Sequence, residues 1–323
     1  MLIQPDFNYS ILLLLYTIMN NLALILSIFG SLVFAGVAII NKVTETDRKI
    51  DTSVVNNVMV LSAVIMGSII LAFVNQFIKA PILKLNTIAL TAGVFGYLAT
   101  LMLNKSIQYA SNPALTVALF RSQIIVTAII AYIVFKSKMT NPMLACIGVI
   151  ILSAFAIAIS SNETDKDKNK KETTLTTNWI FYAIIAIIAV SFADNLMKYS
   201  SILKYNYLNS SLYVLLGNLL GLIIYYIVDS KQLTVLYNNT DVIYKNIYLL
   251  VLSGLCFGLY MISLTSAINF SSNPAIVKAI ITLDIVLIAI VSGLINAESK
   301  LNMKQWISCI TLCGGIVGIS LLE

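Results

Sequence analysis

The amino-acid sequence predicts an all-α integral membrane protein of ten transmembrane helices, arranged as two inverted five-helix repeats. Two observations carry the membrane assignment and a third carries the repeat. Of the 323 residues, 59% are hydrophobic and only 11% are charged, with a mean hydropathy of +0.93. A water-soluble domain cannot hide that much apolar surface, so the solvent is lipid. The apolar residues also come in runs of about 20, the length that carries an α-helix across a bilayer core at ~1.5 Å per residue. Finally, Ile107-Gln-Tyr-Ala-Ser-Asn-Pro-Ala114 returns as Ile268-Asn-Phe-Ser-Ser-Asn-Pro-Ala275. The echo continues: Ala118, Ile124, Ala128 and Ile129 reappear as Ala279, Ile285, Ala289 and Ile290, all at the same offset of 161 residues. Two similar membrane halves are a design of secondary transporters, in which the substrate site forms between the repeats.

Taken in order, the apolar runs give spans at 20–40, 57–77, 86–105, 112–134 and 142–160, then 179–200, 209–228, 246–265, 274–295 and 303–322. Residues 11–19 lengthen the first run beyond need and read as a tilted or interfacial lead-in. No Lys or Arg precedes Lys42, so this start lacks the basic region of a cleaved signal peptide and reads as a retained span. Between the halves lies SNETDKDKNKKETTLTTN (161–178), whose four lysines and four acids read as a solvated linker. Residues 1–160 and 179–323 are therefore the two repeats. An odd number of spans in each makes them cross the membrane in opposite senses. Phe34-Ala-Gly-Val-Ala-Ile-Ile-Asn-Lys42 and Phe192-Ala-Asp-Asn-Leu-Met-Lys198, each ending on a lysine, extend the repeat weakly to the first span of each half.

Small residues supply close helix packing. Gly217/Gly221, Gly254/Gly258 and Gly314/Gly318 are GxxxG pairs in the second half, suited to internal packing or, through the last span, to a homodimer. Cys146, Cys256, Cys309 and Cys313 all fall within apolar spans, and the chain has no histidine. They read as small buried apolar residues, with neither a metal nor a cofactor expected. The formal charge of +6 is scattered over loops and forms no basic stripe, which excludes a nucleic-acid partner. A cytoplasmic N-terminus would put Lys79, Lys84, Lys136, Lys138, Lys198 and Lys204 inside. Lys42, Arg48, Lys49, Lys105, Lys231, Lys245, Lys300, Lys304 and the linker lysines would then lie outside. The positive-inside rule favours the opposite sense.

With the repeat, the span count and the paired helix starts Ser111-Asn112-Pro113-Ala114 and Ser272-Asn273-Pro274-Ala275, the chain resembles the drug/metabolite transporter superfamily. Its EamA-like members and their nucleotide-sugar transporter relatives are the nearest in pattern. The resemblance covers essentially the whole chain. The acidic turn typical of the family is matched by Glu298 in the second half, whereas Lys136 and Ser137 depart from it in the first. It implies ten helices with both termini cytoplasmic, alternating access, and a central cavity lined mainly by spans 1, 3, 4, 6, 8 and 9. That orientation runs against the lysine distribution.

Ionisable groups inside hydrocarbon are costly unless they face protein or water, so each is a site candidate. Arg121 and Gln123 stand in the fourth span, Lys278 and Asp284 in the ninth, and the repeat maps Gln123 onto Asp284. Arg121 offers a planar donor fork for carboxylate or phosphate, and Lys278, one turn after Pro274, adds to anion attraction near a positive helix end. The bland alternative is an Arg121–Asp284 or Lys278–Asp284 pair that neutralises buried charge. In the sixth span Asp194, Asn195 and Lys198 form a coupling candidate, with Asp194 and Lys198 four apart and able to satisfy each other. Tyr97 and Tyr260 fall on helices that face the cavity in the family and are candidates for stacking or hydrogen bonding. Tyr225 and Tyr226 read as an interfacial belt. Asn112 and Asn273, each before a proline at the first helical position (Pro113, Pro274), read as helix caps.

These features point to a secondary carrier for a small polar, anionic metabolite. Its partners would be that substrate and the lipid bilayer, with a proton or a counter-substrate for coupling. The competing reading is a non-transporting scaffold or receptor that retains the fold. An enzyme is disfavoured by the absence of histidine, of clustered carboxylates and of a nucleophile elbow. ATP-driven pumping lacks a P-loop, and a channel lacks rings of polar residues.

Overall fold

The computed structural model describes residues 7–73, 83–110, 112–135, 140–168, 178–203, 207–270, 280–295 and 301–322, and these residues form helices with no strand among them. In chain order the helices are α1 (Phe7–Lys42), α2 (Thr52–Phe73), α3 (Leu83–Tyr109), α4 (Pro113–Arg121), α5 (Gln123–Phe135) and α6 (Asn141–Lys168). They continue as α7 (Asn178–Ile202), α8 (Tyr207–Val228), α9 (Lys231–Asn238), α10 (Thr240–Phe270), α11 (Leu283–Ile295) and α12 (Met303–Leu322). Among the described residues, seven helical stretches are long and apolar enough to cross a bilayer: Leu22–Glu45, Thr52–Ile70, Asn86–Tyr109, Pro113–Val134, Asn178–Ser200, Asn209–Val228 and Thr240–Ala267. The chain is thus an all-α protein with the helices of a multi-pass membrane protein.

Several boundaries differ from the apolar runs, because helix continues wherever the backbone can still bond to itself. In α6 it persists to Lys168, eight residues past the end of the run, since Glu and Lys are good helix formers out of lipid. Helix α9 lies in a stretch with no apolar run. Val235 and Leu236 tuck its apolar side against Ile50, Val54, Val55 and Leu250. The linker shrinks accordingly, and residues 169–177 lie outside the described residues.

Helix ends are chemically specified. After α1 a π-helical turn (Val43–Asp47) and Lys49, in the left-handed region at φ 55°, reverse the chain. The Asp51 carboxylate then accepts from the Ser53 amide at 2.8 Å and opens α2. Lys42 reaches across to the C-terminus of α3, donating to the carbonyls of Ile107, Gln108 and Ala110 at 2.9, 3.1 and 2.7 Å. Those oxygens have no intrahelical partner, so the ammonium both pairs them and complements the helix dipole. Asn302 and Gln305 form a reciprocal capping box at the start of α12, with side chain-to-amide distances of 2.9 and 3.0 Å.

Packing is inside-out relative to a soluble protein. Ile25, Ile65, Leu152 and Ile227 are among many large aliphatic side chains turned outward, while Asn41, Asn56, Asn57, Asn104 and Ser253 are buried. Asn41 donates to Asn104 at 2.9 Å, Asn104 to Asn56 at 3.1 Å, and Ser253 to Asn41 at 2.6 Å, tying α1, α2, α3 and α10 together. Such interhelical bonds contribute about 0.6–2 kcal/mol each where lipid offers no competing partner.

Glycines set the closest crossings. A Cβ on Gly217 would strike the Leu90 carbonyl and come 2.8 Å from Gly93 Cα, so α3 and α8 touch backbone to backbone. Gly254 lies as tightly against Met59 and Ser62 of α2. On α12 the packing pair is Gly315 and Gly318, seated on Ile150 and Cys146 of α6, whereas Gly314 faces open space. The GxxxG reading of Gly314/Gly318 is corrected there by one helical position. Helix α1 packs on α10 and α3 on α7, α2 on α10 and α3 on α8, and α6 on α12.

Candidate functional site

The fourth apolar run is two helices, not one. At Ser122 the ladder tightens: its hydroxyl donates to the Leu119 carbonyl at 2.6 Å, its amide to the same oxygen at 3.0 Å, and its carbonyl accepts from Ile125 at 3.0 Å. A hydroxyl that bonds locally competes with the helical pattern, and here it ends α4 after nine residues. A matching break precedes α11, where the Thr282 carbonyl accepts from the Ile285 amide at 3.1 Å. Gln123 and Asp284 are therefore both first-turn residues of helices that restart inside the bundle, where a carboxylate complements the N-terminal dipole.

Across these breaks, Arg121 and Asp284 form a buried ion pair. The guanidinium Nη2 donates to Asp284 Oδ2, and Nε donates to the same oxygen at 3.1 Å. Asp284 is wholly buried and Arg121 nearly so. Aromatic rings complete the surroundings of the guanidinium. Phe34 lies 4.8 Å from it and Phe120 5.8 Å, and Tyr260 faces it from α10. The Arg121–Asp284 pairing weighed from the sequence therefore forms, and Lys278, the other partner weighed for Asp284, lies outside the described residues. The anion fork expected of Arg121 is already engaged.

Beside the pair lies a cavity whose empty space, with the open space at its mouth included, is about 930 Å³. Both halves of the chain line it. Phe34 comes from α1, Gly96 and Thr100 from α3, Arg121 from α4 and Gln123 from α5. The second half contributes Asp194 from α7, Asn218 from α8, Tyr260 and Phe257 from α10, and Ile316 from α12. Most of the wall is apolar, with a few polar groups to orient a ligand.

The cavity gathers Arg121, Gln123, Asp194 and Tyr260 from the candidates read in the sequence, with Asp284 directly behind Arg121. It does not gather Tyr97. That hydroxyl donates to Asn57 Oδ1 at 2.7 Å and its ring sits 6.0 Å from Tyr225, so Tyr97 serves helix packing away from the lining. Tyr226 accepts from Asn57 Nδ2 at 2.9 Å, so Tyr225 and Tyr226, near the end of α8, join this network. Asn195 points elsewhere than its neighbour Asp194 and donates to the Ser191 carbonyl at 2.8 Å, while Lys198 is outside the lining. Asn112 caps α4, its side chain accepting from the Ala114 amide at 2.7 Å ahead of Pro113. Lys278, Asn273 and Pro274 lie outside the described residues.

Asn218 is the lining residue that sequence reasoning missed. The available signal was a single amide in the apolar run Leu216-Gly-Asn-Leu-Leu220, beside the Gly217 that brings α8 onto α3. Gln123 and Asn218 share a further property. Gln123 Oε1 and Asn218 Oδ1 are buried acceptors with no hydrogen-bond donor.

No family model and no curated protein matches the chain. Solved structures do match, and 28 chains superpose significantly. One of them, titled only "Crystal structure of protein", covers 93% of this chain and 96% of its own length at 11% sequence identity and a TM-score of 0.52. A likeness at that identity concerns the fold alone.

Proposed function

We propose that the chain is a secondary carrier of the drug/metabolite transporter type, moving a small polar organic solute by alternating access between two inverted five-helix repeats. The observation that carries this reading is the position of the cavity. Its wall is drawn from both halves, and the Arg121–Asp284 pair links the halves at their two helix breaks. Broken helices that expose backbone ends to a cavity are a recurring way for transporters to build a solute site without exposing unpaired amides to lipid.

The packing pattern supports the repeat. Exchanging the halves carries the α1–α10 packing into α7–α3 and the α3–α8 packing into α10–α2. It carries α1–α11 into α7–α5 and leaves α2–α8 and α6–α12 unchanged, and every one of these packings is present. In this reading α6, the segment ending in α11, and α12 add three spans to the seven stretches of membrane length. Residues 1–160 and 179–323 are the repeats, joined through 161–178. The ion pair is the element with two arrangements: it holds the breaks together in this conformation and rearranges when the cavity opens to the other side.

Counterflow in proteoliposomes tests the proposal, using labelled amino acids, amines, nucleobases, sugar phosphates and nucleotide sugars with and without a pH gradient. The expected result is uptake of one solute class, reduced at least ten-fold in Arg121→Ala. A folded protein that moves none of them would instead indicate a non-transporting scaffold or receptor.

A further inference from the structure

We infer that the cavity selects a solute by its N–H donors, as a small primary or secondary amine carries them, rather than an anion that lacks them. The inference rests on the carrier reading for its physiological meaning and on the cavity alone for its chemistry.

Two buried acceptors in the lining await donors. Asn218 is 1% exposed, and its Nδ2 donates to the Val214 carbonyl at 2.9 Å. That bond fixes which end of the amide is nitrogen, so the end left without a partner is the carbonyl oxygen Oδ1. Gln123 is 8% exposed, its main-chain carbonyl is occupied by the Ser191 hydroxyl at 3.2 Å, and its side-chain Oε1 receives no hydrogen bond. Native proteins rarely leave buried carbonyl oxygens unpaired, and two in one cavity mark a place where a ligand supplies the donors. A simple carboxylate has none to give, whereas an ammonium has two or three.

Charge agrees with the hydrogen-bond inventory. The one guanidinium in the wall is engaged by Asp284, and Asp194 brings a further carboxylate to the same lining. Among the described lining residues, the guanidinium is therefore not open to an anionic solute. Phe257, also in the wall, adds an aromatic ring to the lining, a group suited to an organic substituent.

Three probes of similar shape separate the alternatives: 2-phenylethylamine, its N,N,N-trimethyl derivative and 3-phenylpropionate. Binding to the purified protein is read by ligand-induced thermal stabilisation, and transport by counterflow in liposomes. The amine is expected to bind at least about ten-fold more tightly than the carboxylate and than the trimethyl cation, which has charge but no donor. Asn218→Leu and Gln123→Met should each weaken the amine about ten-fold while leaving the trimethyl cation within about two-fold. Asn218→Ala, the variant to use should Asn218→Leu fail to fold, should weaken the amine to the same extent. Preferred binding of 3-phenylpropionate, equal binding of amine and trimethyl cation, absence of amine binding, or amine affinity unchanged in the folded variants would each overturn the inference. Amine binding without any counterflow would leave the site assignment standing and remove the carrier reading. Counterflow of another solute class without amine binding would do the reverse.

Discussion

Removing one partner of the Arg121–Asp284 pair should cost far more than removing both. In Arg121→Met, Asp284 keeps its carboxylate with no exposed surface and loses the guanidinium bonds at Oδ2. Each charge-assisted hydrogen bond contributes about 1.5–3 kcal/mol, and stranding one member of a buried pair costs about 3–5 kcal/mol. The reciprocal variant, Asp284→Leu, leaves the Arg121 cation among the rings of Phe34 and Phe120, which offset only about 1–2 kcal/mol of its desolvation. The double variant Arg121→Met/Asp284→Leu buries no charge and should lose no more than about 1–2 kcal/mol. A coupling energy of at least about 2 kcal/mol follows, measurable by SDS or thermal unfolding of the purified protein monitored by helical circular dichroism. Single variants should melt on the order of 5–10 °C lower, with most of that recovered in the double. Single effects that sum to the double within about 0.5 kcal/mol would show that the two groups do not pair, and the description of the helix breaks would fall with them.

Four further outcomes follow from packing and caps. Gly217→Val should abolish folded monomer on size-exclusion chromatography, because its Cβ lands on the α3 backbone. Gly148→Ala, with nothing within 4 Å, should fold normally and gain about 0.5–1 kcal/mol from helix propensity. Lys42→Met leaves three carbonyls at the end of α3 without their donor, so thermal stability should drop by about 1–3 kcal/mol and amide exchange around residues 107–110 should accelerate. Asn112→Ala removes the cap on α4 and should cost about 1 kcal/mol in the same unfolding assay, with Asn112→Ser retaining most of it.

Much of the architecture was legible because lipid imposes a simple rule. Backbone polar groups must bond within their own segment, so long apolar runs become helices, and the positions of α2, α3, α7, α8 and α10 followed to within several residues. Asn112-Pro113 declared a helix start because proline needs no amide partner there and asparagine supplies an acceptor. The rarity of ions in hydrocarbon singled out Arg121, Asp194 and Asp284. The short helix α9 was hidden because its stability comes from leaning on Ile50, Val54 and Leu250, residues of other helices and of the turn before α2.

Sequence by itself determined which groups had to be accounted for inside the membrane, since each buried charge or amide demands a partner wherever it ends up. Tertiary structure alone decided which partner each received: Asp284 for Arg121, Asn57 for Tyr97, the carbonyls of α3 for Lys42. Those choices depend on helix rotation and on how closely Gly93 lets α8 approach, quantities that no run of apolar residues encodes. The same geometry left Gln123 and Asn218 with oxygens that no protein group reaches, and so made one amide singled out in the sequence and one passed over there the most informative groups of the cavity.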